Sequence, residues 1–353
     1  MMDVDVDTEV LNRLPVRSLL RFKCVSKLWM TLISDPNFKM KHLNHAKNDE
    51  NSQKILVNQQ YPYIEEFSLY CSSLSSVQQV EHPHKFDCPS HIKSWHHTLY
   101  CCYHGLALIG FYNYKLDFLP LLWNPSTRES IVLPPPKILP NDYCTWGLGY
   151  DSASDDYKIL KIDEKSRSES LALKSGSWRL MDKHPIRDVH PMLTSTDSLV
   201  FVHGAFHWLI NSLRKYYVMP FGISDEVYRE IPLLEQIYLK KFREPGVSVL
   251  GGMLCAYSHY VSRIEDVFMF WVMKDYVSES WTELYTIQGT DLKSAIPKYM
   301  FSDGEVLLCC RHLRHCYYEF RTSKGPFGVW PPSNVILKGF VYTESLIFPN
   351  LIS

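Results

Sequence analysis

The stretch LLWNPSTRESIVLP (121–134) sets an apolar run, Leu121-Leu122-Trp123, against a second one, Ile131-Val132-Leu133, across a polar turn, and the second run closes on proline. Trp, Ile and Val suit a pleated, half-buried surface, and Asn124-Pro125-Ser126 is turn chemistry, so the stretch reads as a β-hairpin. The same unit returns at FSLYCSSLSSVQQVEHP (67–83), SLALKSGSWRLM (170–181), VMPFGISDEVYREIP (218–232), FMFWVMKDYVSESWTELYTI (268–287) and YYEFRTSKGPFGVWP (317–331). Anchored at Tyr70, Trp123, Leu173, Phe221, Trp271 and Phe320, it recurs every 48 to 53 residues. Five of the hairpins are preceded by a glycine entering a strand: Gly105, Gly149, Gly204, Gly252 and Gly304.

A period of about 50 residues is that of kelch-type propeller blades. From Ile55 onward the texture is short apolar runs broken by Pro, Gly, Asn and Asp, an all-β pattern. Residues 54–353 are therefore expected to form a kelch-like β-propeller of six four-stranded blades, five or seven being the alternatives. The last apolar strand, within VILKGFVYTESLI (335–347), is expected beside the first, QKILVNQ (53–59), closing the ring and removing the exposed edges of an open sheet.

Ahead of this body the apolar spacing is helical. Val6, Val10, Leu11 and Leu14 form one stripe, with Asp3, Asp5 and Asp7 where a helix start favours acid. Pro15 ends that helix and opens the next. Leu19, Leu20, Phe22 and Cys24 lead into a second stripe of Val25, Leu28, Trp29, Leu32 and Ile33, which Ser34-Asp35-Pro36 stops. The expected head has three short helices, with residues 39–53 as a polar linker or solvated helix end. So small a head buries little apolar surface alone and calls for a partner.

Composition narrows the function classes. The 353 residues are 46% hydrophobic and 21% charged, which excludes a disordered chain, and 14% are aromatic. Thirty-seven Lys and Arg against 38 Asp and Glu leave no basic excess for a phosphate backbone, so no nucleic-acid partner is expected. The start carries no apolar core of a targeting signal, and no apolar run reaches the roughly 20 residues of a membrane span. Ten cysteines in that setting read as reduced thiols.

The segment LNRLPVRSLLRFKCVSKLWMTLISDPNFKMKHL (11–43) resembles the plant F-box, through Leu14-Pro15, Arg21-Phe22-Lys23-Cys24-Val25, Trp29 and the exit Ser34-Asp35-Pro36-Asn37-Phe38. The body resembles the F-box associated interaction domain of the same plant family, which includes kelch-like and S-locus F-box proteins. Its matching stretches are LLWNPSTRESIVLPP (121–135), GLGYDSASDDYKILKI (147–162), GSWR (176–179), VHGAFHWL (202–209), WVMKDYVSESWTELYTI (271–287) and YTESL (342–346). The resemblance implies an F-box over 1–46, a linker at 47–53 and an associated, propeller-like domain over 54–353. It implies further that the head docks on a Skp-type adaptor, and through it on cullin and RING subunits, while the body holds an unidentified target protein for ubiquitin transfer. Such a subunit performs no bond chemistry, holds no cofactor or metal, and works in the cytoplasm or nucleus. The adaptor interface is expected at Val6, Leu11, Leu14, Pro15, Leu19, Val25 and Trp29; Trp29 and Leu32 equally suit the head's own core. One departure stands out. Family members open the first helix with Leu-Pro-acid, where this chain has Met2-Asp3-Val4, as if that helix were truncated or diverged. A scaffold or decoy that binds proteins without recruiting the ligase is the alternative.

Other constellations carry less. His96, His97, Cys101, Cys102 and His104, and again Cys309, Cys310, His312, His315 and Cys316, have ligating side chains, but strand alternation sends neighbours to opposite faces and keeps them from converging on zinc. A copper-dependent kelch-type oxidase would need such ligands. Asp155-Asp156 after Asp151 reads as a turn between strands, and His207 as a core residue. The short basic clusters Lys240-Lys241 and Arg311 to Arg314 read as solvated loops. No Walker, zincin, nucleophile-elbow or dinucleotide motif is present, so no enzymatic activity is expected.

Overall fold

Among the described residues four α-helices precede the strands: α1 (Val4–Leu11), α2 (Val16–Phe22), α3 (Lys27–Ser34) and α4 (Pro36–Ala46). The computed structural model describes residues 4–60, 67–74, 84–86, 94–113, 117–140, 144–181, 190–191, 199–212, 215–234, 242–261, 266–288, 292–312, 318–322, 325–326 and 335–348. The expected head of three helices is thus corrected to four. Ser34-Asp35-Pro36 does stop α3, but the same residues start α4. The Asp35 carboxylate accepts the Phe38 N–H at 3.0 Å, and Pro36 occupies the first turn, where its missing N–H costs nothing. The helix buries Phe38, His42, Leu43 and Ala46 on one stripe. That stripe is hard to see in sequence because a histidine holds one of its positions and lysines flank it.

The strands fall into antiparallel sheets in chain order. One is built from β1 (Gln53–Gln60), β2 (Phe67–Ser73) and β3 (His84–Phe86); the next from β4 (Ser94–Tyr103), β5 (Leu106–Asn113), β6 (Phe118–Trp123) and β7 (Ser130–Val132). Then come β8 (Thr145–Asp151), β9 (Asp156–Ile162), β10 (Ser168–Ala172) and β11 (Ser177–Leu180). A fourth sheet holds β12 (His190–Pro191), β13 (Val200–Val202), β14 (Ala205–Ser212), β15 (Lys215–Gly222) and β16 (Ile231–Pro232). The fifth holds β17 (Phe242–Leu250), β18 (Met253–Val261), β19 (Asp266–Asp275) and β20 (Ser280–Gln288), and the sixth β21 (Leu292–Met300), β22 (Val306–His312), β23 (Tyr318–Thr322) and β24 (Gly325–Pro326). The final strand, β25 (Val335–Thr343), joins the first sheet beside β1, as its sequence suggests.

The repeat anchors have one structural meaning. Tyr70, Trp123, Phe221, Trp271 and Phe320 lie in the third strand of their sheets, and Leu173 directly follows the third strand of its own. The hairpin seen in sequence is therefore the third and fourth strands of a sheet, except in the first, where β3 begins at His84, just beyond the quoted stretch. The preceding glycines mark the turn between the first two. His104-Gly105, His203-Gly204 and Gly251-Gly252 are two-residue loops with both φ values positive, the left-handed geometry that matches strand twist. Gly149 departs from the expectation: it lies inside β8, and the left-handed residue of its turn is Asp155, at φ 50°.

The chain divides into two compact units, Met1–Leu133 with Gly328–Asn334 and Lys338–Pro349, and Pro134–Phe327 with Val335–Leu337 and Asn350–Ser353. In the first, Leu56, Leu69, Phe340 and Tyr342 of one sheet pack on Leu99, Ile109, Phe111 and Trp123 of the next. In the second, Leu160 and Ile162 meet Phe206 and Trp208, and Leu209 and Val218 meet Leu254 and Trp271. The fourth sheet, packed on a neighbour at each face, has both faces buried, which explains the continuous apolar run of β14.

Candidate functional site: the docking face of the head

Two turns and three helices set this face. Pro15, with φ −58°, starts α2. Ser26 caps α3 by accepting the Trp29 N–H at 3.1 Å, which fixes Val25 in the turn between α2 and α3 and Leu28 at the beginning of α3. Beneath them Leu11, Val16, Leu19, Ile33 and Phe38 pack in one core with Leu346 from beyond β25, and Phe22 and Trp29 pack ring to ring at 5.0 Å. His42, itself buried, bonds through Nε2 to the Leu14 carbonyl at 2.9 Å, so α4 braces the end of the first helix. Because a carbonyl only accepts, Nε2 carries the proton. Burial pushes the His42 pKa down.

The nominated residues separate by position. Leu11 and Leu19 are buried in the core; Leu14 and Trp29 are half-buried at its rim; Pro15 is exposed, and Val25 is 68% exposed. The side chain of Val6 and residues Met2 and Asp3 lie outside the described residues. Sequence reasoning missed Val10, Leu28 and Met30 as candidate surface positions. They are 57%, 57% and 49% exposed, although Val10 and Leu28 sit on helical stripes. From Leu11 to Ser34 the chain carries Arg13, Arg17, Arg21, Lys23 and Lys27 and no acid. Arg17, Arg21 and Lys27 are exposed, and Arg13 pairs with Glu9 at 3.0 Å.

On the body, the segments 84–97, 135–145, 184–197 and 233–247 are candidate rim loops by sequence. Their described parts include β3, β12 and the first residues of β4, β8 and β17, so they lie where one sheet gives way to the next. The segment 135–140 is firmly held. Glu169 accepts the N–H groups of Lys137 and Ile138 at 2.9 and 3.2 Å and pairs with Lys161 at 2.8 Å, with both charged side chains fully buried; Lys161 also donates to the Ile138 carbonyl. This bracket leaves Leu139 69% exposed, another residue the sequence did not single out. Lys161, a charge within the apolar strand YKILKI (157–162), was its only trace.

The other titratable clusters have structural partners. Asp151 is buried; burial would raise its pKa, but Lys158 at 2.8 Å, the Ser224 and Ser154 hydroxyls and the Ala153 N–H together hold it well below the usual carboxylate range. Asp155 ends the turn before β9 and accepts from Tyr150. His207 is fully buried and bonds Tyr276 at 2.8 Å. Among the described residues, no three His, Cys, Asp or Glu side chains gather as a metal site, and no helix is long and apolar enough to cross a membrane. Lys240-Lys241, Arg314, His315 and Cys316, and the side chains of His96, Arg311 and His312, lie outside the described residues.

An N-terminal helical head followed by a mainly β body of repeated sheets defines a protein class. The family models match accordingly: an F-box domain over residues 8–41 and an F-box associated beta propeller domain over residues 46–320. The chain belongs to the plant F-box proteins that carry an F-box associated β-propeller domain. It is similar to the F-box protein CPR1 of Arabidopsis thaliana, 29% identical with 81% of this chain and 72% of the relative covered. An F-box/kelch-repeat protein of Arabidopsis thaliana is 26% identical over 99% of this chain and 96% of its own. Among solved structures, TolB from Acinetobacter baumannii aligns at a TM-score of 0.47 and 10% identity, covering 88% of this chain and 72% of TolB, too loosely to carry weight. Neither family model is that of an enzyme.

Proposed function

We propose that the chain is the target-recognition subunit of an SCF-type ubiquitin ligase, with its head on a Skp-type adaptor linked to cullin and RING subunits and its body on an unidentified target protein. The observation that carries this is the exposure of Val25 and Leu28 on a head whose core is already closed. Large apolar side chains held rigidly outside a complete core are the anchors an interface needs. In this reading Val25, Pro15, Leu14 and Trp29 meet the adaptor beside Leu28, and Leu11 and Leu19 shape the face from beneath. Exposed Arg17, Arg21 and Lys27 suit an acidic rim on the adaptor.

The subunit would work by proximity, raising the local concentration of a target lysine near the charged conjugating enzyme. In this reading the body over 54–353 is the associated β-propeller domain, with the F-box at 1–46 and a junction at 47–53. The cytoplasm and the nucleus are where such a subunit would act. Met2-Asp3-Val4 favours the second reading, a decoy that binds targets without the adaptor.

The test is a pull-down of a plant Skp adaptor by the purified chain, its Val25→Asp and Leu28→Asp variants, and Val277→Asp as a control on a 94% exposed side chain of the body. Binding by wild type and Val277→Asp, lost in the two head variants, supports the proposal. Equal binding by all four removes the assigned face. Binding only after Met2→Leu with Asp3→Pro identifies a decoy.

A further inference from the structure

The structure brings two of the family-like motifs together, WNPSTRES (123–130) and YTESL (342–346). Leu346, 2% exposed, is a member of the head's own core with Leu11, Val16, Leu19, Ile33 and Phe38. The head therefore fills its interior with a side chain from the far end of the sequence. Asn124, fully buried, holds that segment in place. Its amide donates to the carbonyls of Ser345 and Ile347 at 3.0 and 2.8 Å, while its oxygen accepts the N–H groups of Ser126 and Thr127 at 2.8 and 3.2 Å. Both donors and the acceptor of the amide are used, so no other side chain of that size could replace it.

The segment is tied along its whole length. Ser345 donates to the His104 carbonyl at 2.8 Å, and the Glu344 N–H donates to Ser52 at 2.8 Å. Thr343 donates to the Gln53 side chain at 3.0 Å, across 290 residues of chain, and the same Gln53 amide donates to the Ala46 carbonyl at the end of α4 at 2.8 Å. The connection thus runs from α4 through Gln53 to β25 and on to Leu346.

We infer that residues 342–347 form a clasp that completes the head, so that the docking face is assembled only when β25 has been added to the first sheet. The head is made first and its last core residue some three hundred positions later, so a nascent or prematurely terminated chain would display no finished docking face. In the complete chain the clasp also fixes the head against the first two sheets. The word docking rests on the function proposed above; the clasp itself does not.

Hydrogen exchange on the full chain tests it, comparing amides of α2, α3 and α4 with those of β14 and β18 as an internal control. In Leu346→Asp the helical amides are expected to exchange at least roughly a hundredfold faster, with β14 and β18 unchanged; Asn124→Ala should give a smaller rise in the same helices. Wild-type protection of α2–α4 in both variants overturns the clasp. If Leu346→Asp also exposes β14 and β18, Leu346→Ala decides by the same two outcomes, with a rise of at least roughly tenfold expected. A wild-type chain that does not bind the Skp adaptor sinks the ligase reading alone, because exchange reports on the clasp directly.

Discussion

Lys161 and His207 show how single buried polar residues are tolerated here. Lys161 sits in an apolar strand yet lies 2.8 Å from Glu169 and donates to the Ile138 carbonyl, so its charge is paired and two of its three donors are engaged. Removing one partner of such a pair leaves an uncompensated charge in the interior. Lys161→Met is expected to cost about 3 kcal/mol in urea unfolding and to speed exchange of the Ile138 amide, whereas a surface pair such as Arg13–Glu9 should cost under about 1 kcal/mol when broken. His207 is buried neutral: desolvation lowers its pKa from 6.5 to about 4. The unfolded chain takes up a proton near 6.5 and the folded chain only near 4, so stability is full above about pH 6.5 and falls as pH drops through that window, by an amount of order 3 kcal/mol. Replacing His207 with Phe should flatten that part of the stability–pH curve, measured by urea melts from pH 4 to 7. Burial lowers the His42 pKa too, so the head contributes a slope of the same sign.

At the scale of elements, the turns between first and second strands separate local from long-range demands. Gly105 and Gly204 both have positive φ, 80° and 72°. A Cβ on Gly204 would meet nothing within 4 Å, but one on Gly105 would run into the Ser345 side chain and stand 2.7 Å from the Thr343 carbonyl. Gly204→Ala should therefore cost only the left-handed strain, about 1–2 kcal/mol, and Gly105→Ala distinctly more, with the extra loss confined to the first unit. Thermal unfolding of both variants, followed by exchange to localise the loss, checks this; equal costs would mean that the clasp moves aside freely. Ser26 and Asp35 are both helix caps, and of the two the sequence reading used only Asp35, as a stop. What hid α4 was the weight given to Asp35-Pro36 as a stop, when the same pair is equally a start.

At the scale of the whole molecule, the proposed docking face combines exposed Val25 and Leu28 with a stretch, Leu11 to Ser34, that holds five basic residues and no acid. Electrostatic steering of that kind is screened by salt, so adaptor affinity is expected to fall between 50 and 500 mM salt, mainly through the association rate, by roughly tenfold. Surface plasmon resonance across that range measures it. A salt-independent association rate would exclude the basic residues from recognition. Arg21→Ala should lower the association rate and leave unfolding unchanged, because Arg21 is exposed and outside the core.

The division of the chain into a helical head and a repeated β body was written in periodicity alone. Helical spacing before residue 46 and a hairpin every 48 to 53 residues are local properties, and burial of an apolar face requires them whatever the neighbours. The pairing of the last strand with the first followed from the need to cover a sheet edge. Which apolar residues of the head face outward was not local. Leu19 and Val25 look alike in sequence, yet one is fully buried and the other 68% exposed, because the core they could share is filled by Phe38 from α4 and Leu346 from beyond β25. Periodicity cannot report a contact made across some three hundred residues. Only the tertiary structure decides which side chains close the head and which are left to bind.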